Sequence, residues 1–166
     1  MAIDASIRII ELATSLGLTL QKKQMSLALA ESCTGGLTSA AITDIAGSSA
    51  WFDRGFITYS NTAKQEMLGV KEATLVKHGA VSEETALEMA LGALKNSQAT
   101  IAASITGIAG PSGGSKSKPV GTVCFAWVSS AGIHNTTRMH LNGDRQAVRQ
   151  QSVISVITGL LALLKN

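Results

Sequence analysis

The stretch SLALAESCTGG, residues 26–36, joins a short apolar run to a polar turn with two glycines. The run SLALA has the length of a buried strand. Beyond the turn, Leu37, Ala41 and Ile45 recur at helical spacing, and Gly47 is a natural helix stop. The stretch therefore predicts strand, tight turn and helix, which is the repeating unit of α/β proteins.

The same kinds of pattern predict the other elements on both sides of this unit. We expect helices over residues 3–21, 61–68, 82–94 and 144–165, and strands over residues 51–59, 100–105, 122–129 and 133–141. Strands and helices alternate early, and the last two strands form a hairpin. The pattern predicts an α/β fold, a three-layer α/β/α sandwich with a mixed parallel and antiparallel sheet, as one domain over residues 1–166.

Two helices carry apolar stripes that indicate how they pack. In the first helix, Ile3, Ile7 and Ile10 share one stripe, with Leu12 and Leu16 nearby. The stripe of the last helix comprises Val153, Ile157, Leu160, Leu161 and Leu164. Only 15% of the residues are charged, below the roughly 25% of typical domains. The low charge and the apolar last helix suggest a homo-oligomer, a homodimer in particular.

Composition also limits the class of function. The net charge is only +3, aromatic residues are 4%, and no basic run stands out, so nucleic acid is not an expected partner. The longest apolar stretch, residues 153–164, is too short to span a bilayer, and we expect no membrane association. The N-terminal segment does not resemble a signal peptide. Two cysteines outside a CxxC motif indicate a reducing, cytoplasmic location. The three histidines lack metal-ligand spacing, so we predict no metal and no cofactor.

Three polar loops follow three of the predicted strands, at Glu31–Gly36, Tyr59–Lys64 and Thr106–Gly114. Ligands of open α/β sheets bind beyond the carboxyl ends of the strands. We therefore expect these loops to converge on one site.

Ser32 is the candidate nucleophile of the first loop. A strand-to-helix turn exposes a side chain and directs backbone N–H groups at a ligand. Two alternatives remain at this point: Ser32 or Thr34 caps the following helix, or Cys33 is the nucleophile, with a thiol pKa lowered by the helix N-terminus. A small buried cysteine is the simpler explanation of Cys33.

Lys64 is the candidate general base of the second loop. If Asn61 is the N-cap, Lys64 falls at the third helical position, where the helix dipole disfavours a cation. Burial would lower the pKa of the amine further, so that it accepts the proton of Ser32 directly or through the Tyr59 hydroxyl. A solvated surface lysine is the alternative.

The third loop is rich in glycine, with Thr106, Gly107 and Gly110 in its first part. Glycines let the backbone approach a ligand and present successive N–H groups to a phosphate or an oxyanion. Arg145, Lys116 and Lys118 would add positive charge. Two alternatives remain. The glycine-rich segment can be a flexible connecting loop without a ligand, and Arg145 can be an ordinary surface residue.

Four segments resemble the signature of the CinA C-terminal-domain family. They are AESCTGG (30–36), GFITYSN (55–61) with Lys64, TGIAGP (106–111) with PVGTV (119–123), and GDR (143–145). They follow the family order and span most of the chain, and from the resemblance we expect the stand-alone form, without the extra N-terminal domain of larger members. The resemblance implies an α/β/α sandwich that hydrolyses the carboxamide of nicotinamide mononucleotide to nicotinate mononucleotide and ammonia, with a serine nucleophile and a Tyr/Lys pair matching Ser32, Tyr59 and Lys64.

From the loops and the resemblance together we expect the substrate-binding residues to be Glu31, Cys33, Thr34, Gly35, Gly36, Asn61, Thr106, Gly107, Gly110 and Arg145. Nicotinamide mononucleotide is the expected small-molecule partner. Two alternatives stay open: a non-catalytic nucleotide-binding module of the same fold, since some stand-alone members lack deamidase activity, and an amidohydrolase that acts on another nucleotide.

Overall fold

One five-stranded mixed sheet forms the centre of the computed structural model, which describes residues 4–165. The strands are β1 (Leu27–Glu31), β2 (Phe52–Ile57), β3 (Ile101–Gly107), β4 (Thr122–Ser129) and β5 (His134–His140), in the spatial order β2-β1-β3-β4-β5. β1 pairs in parallel with β2 and β3, whereas β4 is antiparallel to β3 and β5. The predicted mixed sheet and its hairpin are confirmed.

Within the described residues, six α-helices cover the two faces of the sheet. They are α1 (Ala5–Lys23), α2 (Leu37–Thr43), α3 (Asn61–Leu68), α4 (Glu72–His78), α5 (Glu83–Lys95) and α6 (Arg145–Leu163). α1, α2 and α6 pack together on one face, and α5, flanked by α3 and α4, covers the other. The predicted three-layer sandwich is confirmed. The sequence did not predict α4, because none of its residues is buried and it has no apolar stripe.

The two sides of the sheet have cores of different character. Leu27 and Leu29 of β1 face α1 and α6, whereas the alternate residues Ala28 and Ala30 face α5. Small side chains on that second side let the α5 backbone approach the sheet closely. The residues of α5 that pack there are Ala86, Met89, Ala90 and Ala93.

The isoleucine stripe of the first helix is not its buried face. Ile7 and Ile10 are 53% and 54% exposed, and Ile3 lies outside the described residues. The face that packs against α6 is formed instead by Leu12, Leu16 and Leu20, spaced four residues apart. Helical periodicity identified the helix correctly. The helix has an isoleucine stripe and a leucine stripe, and the leucine stripe is the one that packs in the core.

The apolar stripe of α6 is used inside the molecule. Val153, Ile157 and Leu160 are completely buried in the core shared with α1. The stripe therefore no longer supports a subunit interface, and the homodimer stays a prediction. Across residues 4–165, no helix has the length and apolar character needed to cross a bilayer.

Parallel pairing brings the ends of β1, β2 and β3 to one edge of the sheet. Just beyond the strands, the Thr58 N–H donates to the Glu31 carbonyl at 2.8 Å, and the Ser32 N–H donates to the Ile105 carbonyl at 3.0 Å. The loops after these strands therefore start side by side, as the sequence predicted.

Candidate active site

The turn after β1 places Ser32 at the carboxyl edge of the sheet. Its carbonyl accepts the Gly35 N–H at 3.0 Å, which closes the turn. Gly35 and Gly36 have φ angles of +57° and +99°, which L side chains rarely adopt. The paired glycines are therefore required for the chain to reverse from strand to helix within four residues.

Glu31 holds this turn from inside. Its side chain is completely buried, and its carboxylate accepts hydrogen bonds from three backbone N–H groups, of Gly36, Thr38 and Ser39, and from the Ser39 hydroxyl, at 2.7–3.1 Å. These are N–H groups that the first turn of α2 leaves unpaired. The carboxylate thus supports the turn, and its acceptors are occupied by the protein itself.

The alternative in which Ser32 or Thr34 caps α2 is wrong. The N-cap residue is Gly36, which has no side chain, and the capping acceptor is the Glu31 carboxylate. Ser32 is therefore free of a capping role and its hydroxyl points elsewhere.

The Ser32 hydroxyl contacts the side chain of Lys64. The Lys64 Nζ lies 2.9 Å from the Ser32 Oγ and donates to the Thr58 carbonyl at 2.8 Å. Lys64 is only 1% exposed, and no carboxylate of residues 4–165 forms an ion pair with it. Burial lowers the pKa of the Lys64 amine from its ordinary value. A neutral amine in this position holds a lone pair toward the serine hydroxyl, as a general base requires.

The predicted helical position of Lys64 is corrected by one residue. Ser60, not Asn61, is the N-cap of α3, and its hydroxyl accepts the Ala63 N–H at 3.0 Å. Lys64 is then the fourth residue of the helix, and its N–H bonds to the Ser60 carbonyl. Desolvation, rather than the helix dipole, is the main cause of the lowered pKa.

Cys33 has the properties of a small buried residue. It is 7% exposed, and burial raises the pKa of its thiol to about 11. A thiol with that pKa is protonated at neutral pH and is a poor nucleophile. The geometry therefore favours Ser32 over its neighbour.

The turn also carries unpaired backbone donors. Among residues 4–165, no backbone carbonyl accepts the N–H groups of Cys33 and Thr34, whereas the Gly35 N–H already bonds to the Ser32 carbonyl. Because a peptide unit is planar and trans, the Ser32 carbonyl that faces Gly35 turns the Cys33 N–H to the opposite side. The backbone donors that this turn can offer to a substrate are therefore those of Cys33 and Thr34.

Arg145 connects the second and third loops. Its guanidinium donates to the Gly110 carbonyl at 2.8 Å and to the Tyr59 hydroxyl at 3.2 Å. The Tyr59 side chain is 62% exposed, and no hydrogen bond joins it to Ser32 or Lys64. In this arrangement the Lys64 Nζ contacts the Ser32 Oγ directly, and the route through the Tyr59 hydroxyl stays a prediction.

The remaining predicted site residues lie around this centre with different degrees of access. Thr106 is buried, and its hydroxyl donates to the Ala80 carbonyl. Gly107 lies at the end of β3, where a Cβ atom would be 2.8 Å from a Val123 methyl group. Asn61 is exposed at the first position of α3.

Two contributors were missed from the sequence. The Thr58 carbonyl, which accepts from Lys64, left no signal because backbone groups have no residue signature. Arg149 donates to the Thr34 carbonyl at 2.9 Å. Its spacing of four residues from Arg145 on a helix was the signal that would have placed both on one face.

Fold and site together define an α/β/α sandwich protein with a buried serine–lysine pair at the carboxyl edge of its parallel strands. The chain belongs to the CinA C-terminal domain family, whose model matches residues 9–164. A relative from Enterobacter agglomerans, named nicotinamide-nucleotide amidohydrolase PncC, is 54% identical over 160 residues, which cover 96% of this chain and 98% of the relative. A relative of the same name from Escherichia coli strain K12 is 55% identical over 144 residues, 87% of each chain.

A solved structure gives the same result for the fold. The competence/damage inducible protein CihA from Agrobacterium tumefaciens superposes with a TM-score of 0.93 at 46% identity and 96% coverage of both chains. The predicted family and fold are confirmed, and the hydrolase name of the relatives confirms the prediction of an enzyme.

Proposed function

We propose that this protein hydrolyses the carboxamide of nicotinamide mononucleotide, releasing ammonia and nicotinate mononucleotide, with Ser32 as nucleophile and Lys64 as general base. The observation that carries the mechanism is the 2.9 Å contact between the Lys64 Nζ and the Ser32 Oγ, with the amine buried away from any carboxylate of the described chain. The names of the relatives support the substrate.

The first step is a proton transfer coupled to nucleophilic attack. Neutral Lys64 takes the Ser32 hydroxyl proton while Oγ forms a bond to the carboxamide carbon, and the carbonyl oxygen gains the negative charge. The Thr58 carbonyl, which accepts from the Lys64 Nζ, orients the amine and stabilises the ammonium that forms. A proton acceptor with a pKa near the working pH makes this step most efficient.

The tetrahedral intermediate needs donors for its oxygen anion. We propose that the N–H groups of Cys33 and Thr34, which no backbone carbonyl accepts, supply these donors. The C–N bond then breaks, and the Lys64 ammonium protonates the departing nitrogen, giving ammonia and a serine ester. Lys64, neutral again, accepts a proton from water as the water oxygen attacks the ester carbonyl carbon. The ester C–O bond then breaks, the Lys64 ammonium returns the proton to the Ser32 Oγ, and nicotinate mononucleotide is released.

The rest of the nucleotide requires contacts beyond the reacting group. The glycine-rich loop and Arg145 are proposed to hold the ribose phosphate, because Arg145 already lies against Gly110 at the entrance to the site. Tyr59, which is exposed and contacts Arg145, lies at the same entrance to the site. Because its hydroxyl contacts Arg145 and not Lys64, we propose that the proton passes directly between Ser32 and Lys64; the catalytic role of Tyr59 expected from the sequence stays a prediction that Tyr59→Phe tests.

Ammonia release from a panel of nucleotides tests the proposal. The panel contains nicotinamide mononucleotide, nicotinamide riboside, the dinucleotide and purine and pyrimidine nucleotides with amide groups. Hydrolysis of nicotinamide mononucleotide at the highest kcat/KM supports the proposal. A higher kcat/KM for another compound would mean that this compound, and not nicotinamide mononucleotide, is the substrate. Binding of the nucleotides without ammonia release from any of them would identify a nucleotide-binding module instead.

A further inference from the structure

One face of α1 is apolar but exposed. Ile7, Ile10 and Leu18 are 53%, 54% and 65% exposed, and Thr14 lies exposed between the last two. Steps of three or four residues place these four side chains, the outer stripe, on one face of the helix. The buried leucines of α1 pack on the opposite side. Apolar side chains that line up on an exposed face mark a contact with another molecule, whereas scattered single ones do not.

Thr14, the polar member of the outer stripe, is suited to burial in such a contact. Its hydroxyl donates to the Ile10 carbonyl at 2.8 Å, so covering the residue leaves no hydrogen-bond donor unpaired. Thr14 is also midway between Ile10 and Leu18, four residues from each. Two copies of α1 that pack antiparallel, with Thr14 on the two-fold axis, therefore place Ile10 of each copy against Leu18 of the other.

The charged groups that flank the outer stripe match in the same arrangement. Asp4 is the N-cap of α1, and Lys22, in its last turn, follows about five helical turns later, so both lie on the same side of the helix. Neither forms an ion pair within residues 4–165. With Thr14 on the two-fold axis, Asp4 of one copy lies within about 3 Å of the level of Lys22 of the other, measured along the helix axis. Each pair also combines the positive end of one helix dipole with the negative end of the other.

We propose that the protein forms a homodimer in which the outer stripes of two α1 helices pack antiparallel across Thr14. A second copy of the chain is the occupant because the stripe is complementary to itself. Ile10 and Leu18 are placed symmetrically about Thr14, and Asp4 and Lys22 nearly so, which an unrelated partner would not require. The contact gives the predicted homodimer a surface in place of the α6 stripe, which is buried within the molecule. It does not depend on the proposed function.

Sedimentation equilibrium of the full chain tests the dimer without any need for turnover. At about 100 µM the wild type should have twice the 17.1 kDa mass of one chain. Ile10→Glu and Leu18→Lys each place a charge against an apolar side chain of the other copy, so each should raise the Kd of the dimer at least about tenfold. Val76→Glu is the matched control, because Val76 is 81% exposed on α4, outside the outer stripe. It should dimerise like the wild type, and circular dichroism verifies that all three variants are folded.

Mixing the two charged variants tests the register of the helices. In a mixed dimer the new carboxylate at position 10 faces the new ammonium at position 18, and the other contact between Ile10 and Leu18 is unchanged. An equimolar mixture of Ile10→Glu and Leu18→Lys should therefore regain the dimer that each variant alone has lost.

Disulfide formation across the two-fold axis gives a readout that does not depend on the charged variants. On oxidation with diamide, Thr14→Cys should form a linked dimer at least about tenfold faster than Ser15→Cys, an exposed neighbour outside the outer stripe. A wild type that is monomeric at about 200 µM would overturn the proposal. A dimer unaffected by both charged substitutions, a mixture that stays monomeric, or equal rates for the two cysteine variants would overturn it as well.

Discussion

The amine of Lys64 and the hydroxyl of Ser32 are 2.9 Å apart, although 31 residues separate them in the chain. Lys64 is almost completely buried, and the Thr58 carbonyl is its other hydrogen-bond partner. A charged ammonium in this position would lack a compensating anion, so the fold favours the neutral amine. This contact, and the groups that hold it, determine how activity and stability respond to pH and to substitution.

Activity should rise with pH as the Lys64 amine loses its proton. Because burial lowers the pKa of Lys64 below 10.5, the rise in kcat/KM should occur below the titration of a free lysine. Lys64→Arg should lose at least about 10³-fold in kcat, because a guanidinium keeps its proton. Both are measured by ammonia release across pH 5–10. Near wild-type kcat in Lys64→Arg would restrict Lys64 to an electrostatic role.

The same burial predicts a pH-dependent difference in stability. The folded state binds fewer protons at Lys64 than the unfolded state, so this residue destabilises the fold at neutral pH, and the effect vanishes as pH rises to the ordinary pKa of 10.5. Lys64→Met should therefore be more stable relative to the wild type at pH 7 than at pH 10, by a few degrees in Tm. Thermal unfolding at both pH values measures it. A pH-independent difference would show that the folded-state pKa is not lowered.

Much of the site was predictable because its residues lie in short local patterns. Ser32 follows an apolar strand-length run, and Lys64 lies in the first turn of a helix after another strand. The parallel order of the strands places both loops at one edge of the sheet. Their contact was not predictable, because it depends on the register between β1 and β2, which includes an irregularity after Leu27.

Other features could not be predicted because they arise from tertiary contacts. The carboxylate of Glu31 was assigned to the substrate, whereas the structure uses it to pair N–H groups as far along the chain as Ser39. The first-helix stripe was assigned to Ile7 and Ile10, since periodicity alone does not say which of two apolar faces meets the core. Short surface helices such as α4 have no buried face, so their sequences lack the apolar periodicity from which a helix is predicted.

Glu31→Gln should weaken the turn that carries Ser32. An amide has one acceptor oxygen and two N–H donors, so it cannot accept from all four groups that surround the carboxylate. We expect a loss of about 1–3 kcal/mol in the free energy of unfolding and a lower kcat. Denaturant unfolding and turnover are compared with Glu66→Gln, an exposed residue of α3. If Glu31→Gln and Glu66→Gln had the same free energy of unfolding and the same kcat, the supporting role of Glu31 would be contradicted.

Tyr59→Phe separates direct from relayed proton transfer. The Tyr59 hydroxyl contacts Arg145 and has no hydrogen bond to the serine–lysine pair. The variant should therefore lose less than about tenfold in kcat, well below the 10²–10⁴-fold typical of a lost acid–base group. The measurement is kcat from steady-state kinetics, with Lys64→Arg measured under the same conditions for comparison. Losses of the same size in both variants would place the tyrosine in the proton path.

Hydrolysis should be independent of divalent metals. Within residues 4–165, no three side chains of histidine, cysteine, aspartate or glutamate lie close enough to hold an ion. Dialysis against a chelator should leave ammonia release unchanged. Loss of activity with rescue by a single added metal would contradict the serine mechanism.

The assignment of Ser32 as the nucleophile is tested most directly by ammonia release from nicotinamide mononucleotide, measured for Ser32→Ala, Cys33→Ala and the wild type side by side. The adjacent residues share the turn, but only Ser32 contacts Lys64, and the Cys33 thiol has a pKa raised to about 11. Ser32→Ala should reduce kcat by about 10⁴-fold or more with the fold intact by circular dichroism, and Cys33→Ala should keep most of the activity. An active Ser32→Ala protein together with an inactive Cys33→Ala protein would contradict the account and identify a cysteine hydrolase.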